Sequence, residues 1–180
     1  MSAPDATETP APLWLELPNR RATKHLARAL AASLTPGDAV ILSGALGAGK
    51  TFLVRAVCRA LGLTESVRVV SPTFTLVREL PTVPPVAHAD LYRLTTPMDA
   101  RELGLVELRD AGWVLLVEWG EAYAEALGPD RLALRIELGP RRAALAASGP
   151  RSEALRDAVV SSYRRLSLEI PGRSSHLKVG

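Results

Sequence analysis

Eight consecutive residues, Gly44-Ala45-Leu46-Gly47-Ala48-Gly49-Lys50-Thr51, constrain this chain more than any others. They fit G-x-x-x-x-G-K-[ST] and lie between the apolar run Ala39-Val40-Ile41-Leu42 and a helix-forming run over residues 52–61 that Gly62 closes. Strand, glycine-rich loop and helix in that order is the setting in which the pattern binds phosphate. Glycines let the backbone curl around an anion with no Cβ in the way, so successive N–H groups and the positive end of the following helix can face phosphate oxygens. Lys50 is then placed to reach the β- and γ-phosphates, and the Thr51 hydroxyl to ligate Mg²⁺.

The rest of the chain reads as α/β. Trp14 to Leu17 alternate like a short strand, and Asn19 can cap a helix in which Leu26, Ala27 and Leu30 share a face. Pro36-Gly37-Asp38 then turns the chain into the strand that feeds the loop. Residues 73–77 and 86–90 look extended and are separated by a proline-rich stretch over 80–85, which predicts a hairpin or a mixed sheet. Pro97 opens a helix through Leu103, and residues 106–110 make another short one. The most apolar run, Trp113-Val114-Leu115-Leu116-Val117, ends in Glu118-Trp119. Residues 132–138 alternate, residues 142–147 can pair with them across Gly139-Pro140, and residues 152–166 are helical. The expected fold is one P-loop NTPase domain over residues 13–166, a central mixed and mostly parallel sheet flanked by helices. Residues 1–12 and 167–180 are expected to be flexible tails.

A length of 180 residues with 47% hydrophobic content is enough for one domain with a real core. The first dozen residues lack the basic and then apolar order of a signal peptide, and no apolar run approaches a membrane span. One cysteine, Cys58, excludes an intrachain disulfide; on the helix after the loop it reads as a packing residue. Cytoplasm is the simplest location. The net charge of +3 matches the excess within residues 151–180, which hold six Lys/Arg and three Asp/Glu and read as a solvated helix face.

A phosphate-loop enzyme also needs a carboxylate at the end of a neighbouring strand, close to Mg²⁺ directly or through water. Glu118 and Asp90 both satisfy that description, and spacing does not rank them. The assignment adopted is Glu118 in the metal shell and Asp90 on the water, with the exchanged assignment open. His88 reads as a hydrogen-bonded structural residue, because with only His25 and His176 elsewhere no metal cluster is suggested. Trp119 reads as packing at a sheet margin.

Together these motifs resemble the TsaE (YjeE) family, a small bacterial ATPase of tRNA threonylcarbamoyladenosine biosynthesis. The resemblance rests on Leu46-Gly47-Ala48-Gly49-Lys50-Thr51, Ser71-Pro72-Thr73-Phe74-Thr75-Leu76-Val77, His88-Ala89-Asp90-Leu91-Tyr92-Arg93, Glu102-Leu103-Gly104 and Leu116-Val117-Glu118-Trp119, in the family's order across residues 14–149. It implies that Gly47, Ala48, Gly49, Lys50, Thr51 and Phe52 bind ATP, that Thr51 and Glu118 hold Mg²⁺, and that Asp90 serves hydrolysis. It further implies a switch-like segment over residues 71–75 with Thr73 beside the γ-phosphate, approach of Arg20 and Thr23 to the nucleotide, and a late arginine, Arg141 or its neighbour Arg142, that reaches it. The implied partners are the TsaD and TsaB proteins, a transferase pair that the ATPase would support as a nucleotide switch, with tRNA contacted through that complex. Two positions depart from the family. Ala45 stands where an acid is common, which removes a charge near the phosphates, and Phe52 stands where a second small hydroxyl residue is usual, leaving only its backbone N–H to donate.

Two other functions use the same loop. A small-molecule or nucleoside kinase would recruit Arg141 and Arg142 as phosphate clamps, although the paired Asp90 and Glu118 motifs argue against it. A non-hydrolysing ATP-gated adaptor would bind nucleotide and do no chemistry. A GTPase is disfavoured because the chain has no Asn-Lys-x-Asp base-reading motif.

Overall fold

A computed structural model of the protein describes residues 11–168. Seven strands form one sheet: β1 (Leu13–Glu16), β2 (Ala39–Ser43), β3 (Val77–Leu80), β4 (Val86–Asp90), β5 (Val114–Glu118), β6 (Leu132–Leu138) and β7 (Arg141–Ala147). Their spatial order is β1-β7-β6-β2-β5-β4-β3. The four central strands, β4, β5, β2 and β6, run parallel; β3 on one side and β7 on the other run antiparallel to them, and β1, antiparallel to β7, runs in their direction again. This is the mixed sheet expected from sequence.

Five α-helices cover the sheet: α1 (Arg20–Ser33), α2 (Lys50–Ala60), α3 (Pro97–Glu102), α4 (Leu105–Asp110) and α5 (Pro150–Leu168), with a 3₁₀ helix over Glu121–Leu127. Period-two alternation in the central strands divides the core in two. Val40, Leu42, Leu116 and Leu134 join α1, α2 and α5 in the larger layer. Ala39, Ile41, Leu115 and Val117, from the alternate positions, meet α3, α4 and the 3₁₀ helix in the smaller one. Each fully buried leucine in these layers contributes about 1.5–3 kcal/mol. Strands β2, β4 and β5 are buried on both faces, which is why their sequences are nearly continuous apolar runs.

Local signals explain most boundaries. Asn19 caps α1 by accepting from the Ala22 N–H at 2.9 Å. Thr96 and Asp99 form a reciprocal capping box ahead of Pro97 at α3. Gly62 follows α2 at φ +91°, a conformation that favours glycine.

Four expectations need correction. Residues 73–77 do not form a strand: residues 73–75 make a turn, and the strand that pairs with β4 begins at Val77, giving the hairpin a register Val77↔Ala89 through Leu80↔Val86. A Leu76 N–H bond to the Pro72 carbonyl and φ +62° at Leu76 hold that turn. Helix α2 begins at Lys50, two residues before the apolar run suggests, because the phosphate loop feeds directly into it. Helix α5 runs through Leu168 rather than ending at 166, and the 3₁₀ helix has no counterpart in the sequence reading. Most of both expected tails, residues 1–10 and 169–180, lies outside the described residues.

Candidate nucleotide site at the carboxyl end of the parallel strands

Strand β2 has parallel neighbours on both sides, β5 and β6, so the chain leaves its carboxyl end at the point where connections diverge. In an open α/β sheet that crevice is where ligands bind. The glycine loop occupies it. Gly44, Gly47 and Gly49 have φ of +130°, +80° and +98°. At Gly44 the need for glycine is also spatial, since a Cβ there would lie 2.4 Å from the Ile136 carbonyl oxygen on β6. Ala48 is fully buried in the larger core layer and pins the loop, while Leu46 at its tip is exposed. Gly49 takes the N-cap position of α2 without a side-chain cap, and no acid of the helix itself occupies the first turn, so its leading N–H groups and positive end face the loop.

Lys50 is buried under the loop. Its Nζ donates to the carbonyls of Gly44 (2.8 Å) and Ala45 (3.2 Å) and lies 3.8 Å from the centre of the Trp119 ring. Burial pushes its pKa below that of an ordinary lysine, against the opposing pull of Glu118, Glu121 and Asp90. Trp119 holds its place through an N–H bond to the Leu42 carbonyl (3.1 Å) with φ +59°, and its ring meets that of Tyr92 at 5.1 Å.

The two carboxylates are register partners on adjacent strands, Asp90↔Glu118, and occupy different polar networks. Glu118 Oε2 accepts from the Thr51 hydroxyl at 2.9 Å, and Oε1 meets His88 Nε2 at 2.9 Å. Asp90 Oδ2 accepts from the hydroxyls of Ser71 and Thr73, the latter at 3.1 Å, and Oδ1 accepts from the Tyr92 N–H at 3.0 Å. The Ser71 and Thr73 hydroxyl oxygens lie 2.9 Å apart, gathered by the one carboxylate oxygen. Both acids are buried, at 4% and 3% exposure for Asp90 and Glu118. Thr51 and Glu118 therefore offer one hydroxyl and one carboxylate oxygen side by side, a hard-oxygen pair suited to Mg²⁺, which keeps most of its ligands as water and phosphate. Among the described residues no group of three or more His, Cys, Asp or Glu gathers into a protein-only metal cage.

A family model for the Threonylcarbamoyl adenosine biosynthesis protein TsaE matches residues 17–144. The chain belongs to the TsaE family. Its relatives include the tRNA threonylcarbamoyladenosine biosynthesis protein TsaE of Streptomyces coelicolor, 47% identical over 63% of this chain and 78% of the relative. The TsaE of Bacillus subtilis is 39% identical over 66% and 73%. The crystal structure of Bacillus subtilis YdiB superposes with a TM-score of 0.72 at 31% identity, covering 87% of this chain and 98% of YdiB. The family's role lies in tRNA threonylcarbamoyladenosine biosynthesis.

In this TsaE-family chain the remaining expected residues fall unevenly around the loop. Arg141, first residue of β7, rests its guanidinium against Gly49: a Cβ added there would be 2.9 Å from Arg141 Nη2. Arg142 is committed elsewhere, bonded to Glu137 at 2.9 Å and stacked 3.9 Å over Trp14. Arg141 is thus the arginine that reaches the loop. Arg20 lies 5.9 Å from the Phe52 ring centre beside the start of α2. Thr23 is fully buried on α1, and its hydroxyl turns back 3.5 Å toward the Asn19 carbonyl. Cys58 is a buried packing residue whose thiol burial pushes up to about 12. His88 is hydrogen-bonded, as expected, but to a site carboxylate, and Trp119 covers the site lysine as well as packing.

Among the described residues no helix is long and apolar enough to cross a membrane.

Proposed function

We propose that this protein is a Mg²⁺-dependent ATPase that acts as a nucleotide switch on a TsaD–TsaB transferase pair in tRNA threonylcarbamoyladenosine synthesis. One observation carries the reading: the Asp90 carboxylate, on the strand beside β5, holds both hydroxyls of the 71–75 segment. A change at the phosphate loop can therefore pass through neighbouring strand ends into a surface turn where Phe74 is 85% exposed.

The chain's groups divide the work. The loop amides and the uncapped start of α2 bind the phosphates, Lys50 neutralises the β- and γ-phosphates, and Arg141 supplies a second cation from β7. Thr51 and Glu118 would hold Mg²⁺, which when bound offsets the charge that develops on the phosphate oxygens. Asp90 accepts the proton of the attacking water or orients it, and releases Ser71 and Thr73 as it does so. The intrinsic rate is low and a docked partner raises it by completing the site, as activating proteins do for other phosphate-loop enzymes.

The test is ATP hydrolysis by the purified protein, alone and with TsaD and TsaB from the same organism, for wild type and Asp90→Ala. We expect partner-stimulated turnover in wild type and a loss of about 100-fold or more in the variant. ATP binding without turnover in the presence of both partners would support the non-hydrolysing adaptor instead. ATP consumption only on addition of a small phosphoryl acceptor would support a kinase.

A further inference from the structure

We propose that His88 is a positioning residue that aims the Glu118 carboxylate at Thr51 and so sets the affinity of the site for Mg²⁺. The inference rests on the proposed nucleotide reading. His88 lies two residues before Asp90 on β4, so both project to the same face of the sheet. It pairs in register with Leu116 and reaches diagonally to Glu118, two residues further along β5. The imidazole is fully buried, and Glu118 is 3% exposed.

Three features distinguish this contact from an ordinary core histidine. First, the acceptor is a carboxylate, which has no proton to give, so His88 Nε2 donates; Nδ1 is buried with no partner among the described residues. Second, the two oxygens of Glu118 are divided: Oε1 takes the His88 bond and Oε2 takes the Thr51 bond, both at 2.9 Å. Fixing Oε1 removes rotation about the carboxylate's terminal torsion, which is otherwise broad, and leaves Oε2 beside the Thr51 hydroxyl. Third, Asp90 does not compete for this role, because its oxygens are taken by Ser71, Thr73 and the Tyr92 N–H. A residue that orients a metal ligand through its outer hydrogen bond typically changes metal affinity 10- to 100-fold when removed.

The experiment measures ATP affinity by calorimetry as a function of Mg²⁺, with an EDTA control, for wild type, His88→Leu and His88→Gln. His88→Leu fills the space without a donor, and His88→Gln restores an amide N–H at similar reach. The expected result is a Mg²⁺ midpoint about tenfold higher in His88→Leu, unchanged affinity in EDTA, and recovery to within about threefold of wild type in His88→Gln. An unmoved midpoint in His88→Leu, or equal impairment of both variants, would overturn the proposal and reduce His88 to packing. Wild type that binds no ATP would instead overturn the nucleotide reading itself. Should His88→Leu fail to fold, ¹⁵N NMR of the wild-type imidazole decides: a proton on Nε2 supports the assignment, and the tautomer protonated on Nδ1 alone overturns it.

Discussion

At the scale of single residues, burial does most of the chemical tuning. His25 on α1 is buried and its Nδ1 has no partner among the described residues. Desolvation pushes its pKa below 6.5, and the charges of Arg21 and Arg28 push the same way. A basic group with a depressed folded pKa leaves the native state unaffected above pH 6.5. Below it the unfolded chain takes up a proton that the folded chain refuses, so stability falls as pH drops from 6.5 toward the folded value. Urea midpoints measured between pH 7.5 and 5 should show that decline, and His25→Leu should flatten it; an identical slope would remove His25 as the cause. The same scale marks what a sequence can disclose. That Lys50, Thr51, Glu118 and Asp90 gather at one end of the sheet was legible, because a glycine loop and apolar strands ending in acids place them there. Which hydroxyl each acid meets was not legible: Thr51 for Glu118, and Ser71 with Thr73 for Asp90. Arg141 and Arg142 were indistinguishable for a similar reason: alternate sides of β7 send one toward Gly49 and the other onto Trp14.

At the scale of elements, the loop and the helix starts are held by few atoms, and each can be tested. Gly44→Ala would place a methyl 2.4 Å from the Ile136 carbonyl at φ +130°, which should cost about 2 kcal/mol or more and lower the urea midpoint. Asp130 accepts from the N–H groups of Arg151 (2.9 Å) and Ser152 (2.8 Å), capping α5 from a distance of twenty residues along the chain. Asp130→Ala should therefore destabilise the fold by about 1 kcal/mol without changing nucleotide affinity, and a loss of ATP binding would show that α5 is coupled to the site. Periodicity revealed the helices with an apolar face and the strands buried on both sides. It misread residues 73–77, where Thr-Phe-Thr-Leu-Val has strand propensity throughout but the carboxylate of Asp90 draws the first hydroxyl out of line into a turn. That local conflict between propensity and structure falls on the segment that the proposed switch would move.

At the scale of the whole molecule, one domain carries the site on its most firmly bonded strands. Ligand binding to the native state alone should raise thermal stability by mass action, by about 2.7 kcal/mol at a Mg²⁺–ATP concentration 100 times the dissociation constant. For a domain of this size that corresponds to roughly 5–10 °C, and Lys50→Ala should abolish the shift; a shift retained in the variant would dissociate stabilisation from the phosphate loop. The sheet topology adds a consequence of its own. Strand β2, which delivers the loop, is bonded on both edges, whereas β3, which continues from the 71–75 turn, is bonded only to β4 and lies at the sheet margin. The protein is built like a vice with one jaw cast into the frame and the other hung at its rim. Redesign should follow that asymmetry: the cast jaw between Gly44 and Thr51 admits no change of length, and the hung jaw admits none between Ser71 and Thr75, where Asp90 holds both hydroxyls.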